Sequence, residues 1–223
     1  MEKLAAPRPE NAYRHGWTVL KKYFPQLLFL IIIMGLIEAP VNFLSEDMEF
    51  SWRWNELEEY LYMILTHLYT FLYTIFVVIP FQYGASYLYL KSARGEKFEM
   101  RAIVMPYTRI VDVLISEILV IGIVLAGFIM FIIPGIFFLI RLSFVPYLVM
   151  DKGLNAMGAV KESWKMTADY GWTILGMAFL AIFIFIGGVL FFIVGAFVSV
   201  IWIQTAFASL YYAVDSIENP MTD

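Results

Sequence analysis

The longest uncharged stretch of the sequence constrains the fold more than any other feature. Residues 172–214 contain no Asp, Glu, Lys or Arg over 43 positions. A transmembrane helix needs about 20 apolar residues to cross about 30 Å of hydrocarbon, so this stretch has twice the length of one span. Glycines between positions 187 and 195 mark the place where it divides. We therefore predict two spans, over 172–190 and 194–214, with little connecting loop.

Four further apolar runs predict spans over 24–44, 60–90, 110–133 and 136–150. Hydrophobic residues make up 61% of the chain and charged residues 15%, and its mean hydropathy is +0.77. Soluble domains carry about a quarter charged residues, so this composition is that of a membrane protein. The predicted fold class is all-α, with residues 1–223 forming one polytopic membrane domain of six transmembrane helices in three hairpins. Pro134 and Gly135 predict the tight outer turn between the third and fourth spans.

An amphipathic segment precedes each predicted hairpin. Residues 10–24, 91–109 and 151–170 combine an apolar face with several charges, a pattern typical of helices that lie in the membrane interface. Asn155 predicts the N-cap of the third such helix. Tryptophans favour the headgroup level, so we predict interfacial anchors at Trp17, Trp164 and Trp172. The polar C-terminal residues 215–223 are expected to fray.

The placement of basic residues predicts the orientation. Thirteen of the fifteen Lys and Arg residues fall in segments 1–24, 91–109 and 151–170. The segment 45–59 instead carries six acidic residues and one Arg. Because basic residues concentrate on the cytoplasmic side, we expect both termini to be cytoplasmic and segment 45–59 to lie outside. The first apolar run begins only near Phe24 and lacks a following cleavage site, so we expect it to be retained.

Three ionisable residues fall inside the predicted spans. Counting along ideal helices places Glu38, His67 and Arg141 about 9–10 Å below the outer surface. An unpaired arginine in hydrocarbon costs about 2.5–3.5 kcal/mol on insertion scales, so a partner is expected. We predict an ion pair between Glu38 and Arg141, with His67 close by. This buried polar cluster would either hold two spans together by an ion pair or form a substrate or proton site.

Further charges fall near the inner surface. Asp112 and Glu117 lie at the start of the third span, where Lys152 or Arg109 could reach them. We predict that these residues are inner-interface clasps.

Several kinds of site are excluded or not expected. The chain has no cysteine and only two histidines, which rules out thiolate and disulfide chemistry and argues against a histidine-rich metal site. It also lacks a phosphate-binding glycine loop and the common hydrolase motifs. We therefore predict no catalytic residue, no metal site and no cofactor.

The most distinctive string of the chain resembles a known group of proteins. The residues that carry the resemblance are Ile132-Ile133-Pro134-Gly135-Ile136, Arg141-Leu142-Ser143-Phe144, Tyr147, Asp151, Ala159, Ser163-Trp164, Thr167, Trp172, Ile174-Leu175 and 207–212 (FASLYY). This pattern resembles uncharacterised six-span bacterial and archaeal membrane proteins. They are related to the membrane domain fused to some bacterial glycerophosphodiester phosphodiesterases. The resemblance implies a fold and the inner, cytoplasmic membrane of a prokaryote; it implies no catalytic residue, because the hydrolase domain of the fused proteins is separate.

Three functions are compatible with the sequence. The leading hypothesis is a non-enzymatic integral membrane protein, an accessory subunit or a factor in envelope homeostasis. The alternative is a small-molecule or ion transporter or channel that uses Glu38, His67 and Arg141; a lipid-modifying enzyme has the least support. The expected partners are the bilayer, anionic lipids at the cytoplasmic face, and a larger complex or a second copy of the chain. No nucleic acid is expected.

Overall fold

The structure is a computed structural model that describes residues 6–46 and 57–219. Among these residues the regular elements are helical throughout. In chain order the α-helices are α1 (Pro9–Glu46), α2 (Leu57–Tyr73), α3 (Ile79–Ala93), α4 (Ile110–Met130), α5 (Ile132–Leu142), α6 (Val145–Asp151), α7 (Ala156–Met166), α8 (Gly171–Leu190) and α9 (Phe192–Glu218). A π-helix, Thr74–Val78, joins α2 to α3, and a 3₁₀-helix, Met100–Arg109, precedes α4.

Six helical stretches are long and apolar enough to cross a membrane. They run over Pro9–Phe43, Tyr60–Ala93, Met100–Met130, Ile132–Asp151, Gly171–Leu190 and Val194–Glu218. The prediction of an all-α polytopic protein is thus confirmed. The acidic segment predicted to lie outside falls largely on residues 47–56, outside the described residues.

Helix α1 combines the first surface segment and the first span in one kinked helix. Tyr23 leaves helical geometry, with φ −112° and ψ 22°, two residues before Pro25. Proline lacks an N–H and its ring clashes with the preceding turn, which accounts for the kink. Residues 9–22 pack against α9, where the Trp202 indole donates to the Tyr13 carbonyl at 2.8 Å. The kink thus separates the part of α1 that contacts the end of α9 from the apolar span.

The predicted outer turn at Pro134–Gly135 is wrong. The helix is interrupted at Phe131, whose backbone is extended, and both Pro134 and Gly135 lie inside α5. Proline is tolerated in the first turn of a helix, where its missing N–H would have no partner in any case. Gly135 lies close to Gly127 of α4, and the absence of side chains there lets the two helices approach.

The residues that carry the resemblance hold α5, α6 and α7 together. Helix α5 ends at Leu142, and the Arg141 carbonyl accepts hydrogen bonds from the hydroxyls of Ser163 (2.8 Å) and Thr167 (3.2 Å) on α7. These hydroxyls satisfy a carbonyl that the end of α5 leaves without an intrahelical partner. Helix α7 begins as predicted, since the Asn155 side chain accepts from the Gly158 N–H at 2.8 Å.

The last hairpin turns where the glycines suggested. Helix α8 ends at Leu190 and α9 begins at Phe192, which has a φ of 62°. The prediction of a frayed tail is wrong for residues 215–218, because α9 continues to Glu218 and Asp215 is engaged in ion pairs. The rest of that tail, residues 220–223, lies outside the described residues.

The packed core lies at one end of the helices. Side chains with no exposed surface include Phe144, Leu148 and Tyr211, close to the ends of α3, α6 and α9. At the opposite end, hairpin tips such as Phe131 (77% exposed) and Phe192 (85%) present bare apolar surface. Exposed apolar surface is favourable in hydrocarbon and unfavourable in water, so these hairpin tips are suited to contact with lipid.

Candidate functional site: an acidic intramembrane cavity

The predicted ion pair between Glu38 and Arg141 does not form. Arg141 donates instead to the Trp164 carbonyl at 3.5 Å, and its guanidinium lies 4.9 Å from the centre of the Phe137 ring. Helix α7 folds back along α5 and α6 and provides this partner. The predicted depth of Arg141 was counted from a turn at Pro134, but the turn lies at Phe131. In addition, α7 returns toward α5 and provides contacts for Arg141 that a residue count does not include. A carbonyl and two aromatic faces stabilise the guanidinium in place of the predicted carboxylate.

His67 also lies apart from Glu38. Its Nδ1 is 2.7 Å from the Met63 carbonyl within its own helix, and its side chain is exposed. The second span is 34 residues long, well beyond the hydrocarbon thickness, so a depth counted from its start is not a depth in the membrane. The neighbour of Ile37 on this span is Tyr73, whose hydroxyl donates to the Ile37 carbonyl at 3.0 Å.

Glu38 lines a cavity of about 670 Å³ inside the spanning part of the protein. The cavity lies between α1, α3 and α9, with contributions from α4 and α6. Its lining residues are Ile31, Met34, Gly35, Glu38, Gln82, Tyr83, Ala85, Ser86, Tyr89, Glu117, Pro146, Ala196, Phe197, Val200 and Gln204. A cavity of this size accommodates a small ligand.

Each of the two carboxylates in the cavity accepts one hydrogen bond from α3. The Gln82 amide donates to Glu38 at 3.1 Å, and the Tyr83 hydroxyl donates to Glu117 at 3.1 Å. Two successive residues of one helix therefore reach carboxylates on two different helices, α1 and α4. Glu117, predicted as an interfacial clasp with Lys152 or Arg109, is instead part of this cavity.

The backbone of the second span explains this arrangement. The π-helix Thr74–Val78 and Pro80 shift the phase of the helix just before Gln82 and Tyr83. Proline has no N–H to donate to the carbonyl four residues earlier, which belongs to Phe76. The Tyr107 hydroxyl donates to that carbonyl at 2.9 Å and satisfies it. Single π turns inside α-helices are frequent at functional sites.

The lining of the cavity contains acidic but no basic side chains among the described residues. None of the described residues that line it is Lys, Arg or His, whereas Glu38 and Glu117 are both carboxylic acids. A carboxylate surrounded by hydrocarbon is unstable without a proton or a cation beside it. The lining therefore has the chemistry to hold a proton or a small cation, with the amides of Gln82 and Gln204 as neutral hydrogen-bonding groups.

A second polar network joins the ends of three helices. Arg94, just after α3, donates to Asp151 of α6 at 2.7 Å and to Asp215 of α9 at 3.2 Å. Lys152 lies 2.8 Å from Asp215, and the Tyr211 hydroxyl donates to Asp151 at 3.1 Å. Burial alone would lower the pKa of Arg94, but its hydrogen bond to Asp151 and the charges of Asp151 and Asp215 raise it overall.

The other predicted inner charges are placed as follows. Asp112 pairs with Arg109 at 3.2 Å, one of the two partners predicted for it. Lys152 pairs with Asp215, which was expected to lie in a frayed tail. Among residues 6–46 and 57–219, no group of three or more His, Cys, Asp or Glu side chains is placed to hold a metal ion.

The three predicted anchors differ in their surroundings. Trp17 packs on Trp202, with ring centres 4.9 Å apart, and Trp164 packs on the ring of Phe138. Trp172, at the start of α8, is 87% exposed. Their role at the membrane surface stays a prediction.

Sequence reasoning missed the two glutamines and the role of Glu117. Gln82 and Gln204 interrupt apolar runs, and that interruption was the available signal. Both side chains are neutral, so the distribution of charges along the chain gives no indication of them.

Comparisons of the chain with protein-family models, with curated proteins and with solved structures give no match.

Proposed function

We propose that this chain is a non-enzymatic membrane transporter or channel that accepts a small cation, the proton included, in the cavity between Glu38 and Glu117. The observation that supports the proposal is a cavity of about 670 Å³ that contains two carboxylates, one bonded to the Gln82 amide and the other to the Tyr83 hydroxyl, and whose described lining has no basic residue. Ionisable residues within membrane spans are rare, and they mark ion and proton pathways more often than other positions do.

The break in the second span adds support. Transporters commonly form their sites where a spanning helix is interrupted, because irregular backbone there can line a cavity. Here the π-helix and Pro80 lie directly before the two residues that contact the carboxylates.

The test is uptake into proteoliposomes that contain the purified protein. The two probes are protons, followed with an internal pH-sensitive dye under an imposed membrane potential, and radiolabelled tetramethylammonium. We expect Glu38→Gln and Glu117→Gln each to lower the uptake rate at least about tenfold, since a contact with a charged group contributes about 1.5–3 kcal/mol.

Glu99→Gln is the matched control, because it makes the same chemical change at an exposed residue before the 3₁₀-helix. It should leave uptake unchanged. Uptake of either probe at the wild-type rate in both cavity variants would contradict the assignment of the site.

An accessory-subunit role is the second candidate, and one observation favours it. Helix α7 leaves Met157 and Lys161 exposed on its outer face, available to a partner. A folded wild-type protein that transports neither probe would favour this role over transport.

We further propose a location in the cytoplasmic membrane of a prokaryote, with both termini in the cytoplasm. The excess of Lys and Arg in three segments supports this orientation. Membership of the six-span group that the sequence resembles is likewise a proposal.

A further inference from the structure

A groove separate from the acidic cavity lies where α1 kinks. It is formed by residues of α1 before Tyr23, by the segment at the end of α3, and by the last turns of α9. Its volume is about 520 Å³. The apolar span of α1 begins directly after the kink, so the groove lies at the membrane-proximal surface of the end that carries the Arg94 network.

The groove is basic. Arg14, His15, Lys22 and Arg94 contribute to its lining, and none of the described lining residues is Asp or Glu. The charge of Arg94 is balanced by Asp151 and Asp215, to which it is hydrogen-bonded. The uncompensated positive charge therefore comes from α1.

Arg14 and Lys22 supply that charge. Neither forms an ion pair with another described residue, and both side chains are exposed. They lie two turns apart on α1, about 12 Å along the helix axis, with Thr18 between them. Two cations in the same groove suit an anion with several oxygen atoms.

Gly95 lies beside Lys22 in the groove. Its φ of +72° is a conformation that a side chain would strain, which accounts for glycine at this position. The position of a Cβ there would be 4.0 Å from the Lys22 Nζ, so the backbone of this turn forms the wall next to the ammonium group.

We infer that this groove binds a phosphate group, through Arg14 and Lys22, at the membrane surface. A phosphate presents several oxygens to cations and is available there as the headgroup of an anionic lipid or as a free anion. This inference concerns a site apart from the acidic cavity and does not rest on transport of a solute.

The experiment measures lipid retention by the full-length, detergent-solubilised protein, using native mass spectrometry. Phosphatidylglycerol and zwitterionic phosphatidylcholine are added in separate titrations. We expect the wild type to retain phosphatidylglycerol preferentially. The double variant Arg14→Gln/Lys22→Gln should weaken that retention about thirtyfold, at about one kilocalorie per mole for each basic residue near the surface.

Lys21→Gln is the matched control, since Lys21 is an exposed lysine on the same turn that does not line the groove. It should retain the lipid as the wild type does. Lys22→Arg preserves the charge and should retain it as well, which separates loss of binding from loss of folding. Equal retention in the double variant and in Lys21→Gln, or equal retention of both lipids by the wild type, would overturn a lipid site.

A second arm uses inorganic phosphate and follows thermal unfolding. Stabilisation of the wild type, but not of the double variant, would identify the free anion as the ligand. Lipid retention without this stabilisation would identify the headgroup. If neither probe distinguishes the double variant from Lys21→Gln, the inference fails.

Discussion

The side chain of Arg94 connects the ends of three helices. It contacts Asp151 and Asp215, which lie at the ends of α6 and α9, and its side chain is only 19% exposed. A charge in such a position is stable only while both carboxylates accompany it. The network therefore fixes the relative positions of three helix ends.

We predict that Arg94→Gln lowers the free energy of unfolding by about 2 kcal/mol, because it leaves the partly buried Asp151 without its cation and leaves Asp215 with Lys152 alone. The measurement is thermal or denaturant unfolding of the detergent-solubilised protein. Lys97→Gln removes a charge from an exposed pair with Glu99 and should change stability by less than about 0.5 kcal/mol. Equal effects of the two substitutions would contradict the role of the network.

The contribution of the Arg94 charge should not depend on pH between 7 and 10. Its pKa is raised in the folded protein, so its stabilising contribution is complete below its unfolded pKa and is lost only as the pH rises through the folded value. Both values lie far above pH 10, because arginine is effectively always protonated. Unfolding of the wild type and of Arg94→Gln, measured across this range, should differ by a constant amount.

At the scale of the helix, the second span is the most informative element. Its π-helix and Pro80 place Gln82 and Tyr83 against two carboxylates, and Gly84 immediately follows them. A Cβ on Gly84 would lie 2.7 Å from the carbonyl carbon of Ile103 in the 3₁₀-helix. Only glycine allows α3 and the 3₁₀-helix to pack this closely, and that packing brings Tyr107 to the Phe76 carbonyl.

We predict that Gly84→Ala destabilises the protein by about 2 kcal/mol, because the colliding atoms are backbone and cannot rotate away. Unfolding in detergent measures the effect. Gly122→Ala is the matched control within a spanning helix, since no atom lies within 4 Å of the position of its Cβ. That control should be neutral or slightly stabilising, because alanine favours a helix more than glycine does. A neutral Gly84→Ala would show that the two elements can separate at little cost.

At the scale of the whole molecule, the two ends of the helices differ in character. One end has a packed core and ion pairs, and the other end presents bare apolar hairpin tips. This polarity fits a protein whose packed end lies at one membrane surface.

We predict that the packed end is cytoplasmic. The chain has no cysteine, so single cysteines introduced as Glu99→Cys and Ser51→Cys can be labelled without background. A membrane-impermeant maleimide should label Ser51→Cys, in the segment expected outside, in intact cells. Glu99→Cys should react only after the cells are permeabilised. Labelling of Glu99→Cys in intact cells would show that the orientation is the opposite of the predicted one.

The fold class followed from the sequence because it depends on local quantities. The length of each apolar run and the 43 uncharged residues before the last polar segment were enough to predict six helical spans. The N-cap at Asn155 and the division of the last run are also local features, and both agree with the structure.

The partners of the charged side chains could be decided only by the tertiary structure. Glu38 contacts Gln82, Arg141 contacts Trp164, and Glu117 contacts Tyr83. Each contact depends on the direction in which a side chain leaves its helix, on a π turn or on a helix that folds back. Counting residues at about 1.5 Å per position gives only the depth along one straight helix and includes none of these features. The sequence alone therefore determined that the chain crosses the membrane as helices, because hydrophobic length is a property of each segment. Which polar groups meet inside the membrane was decided by packing, because a contact is a property of two segments together.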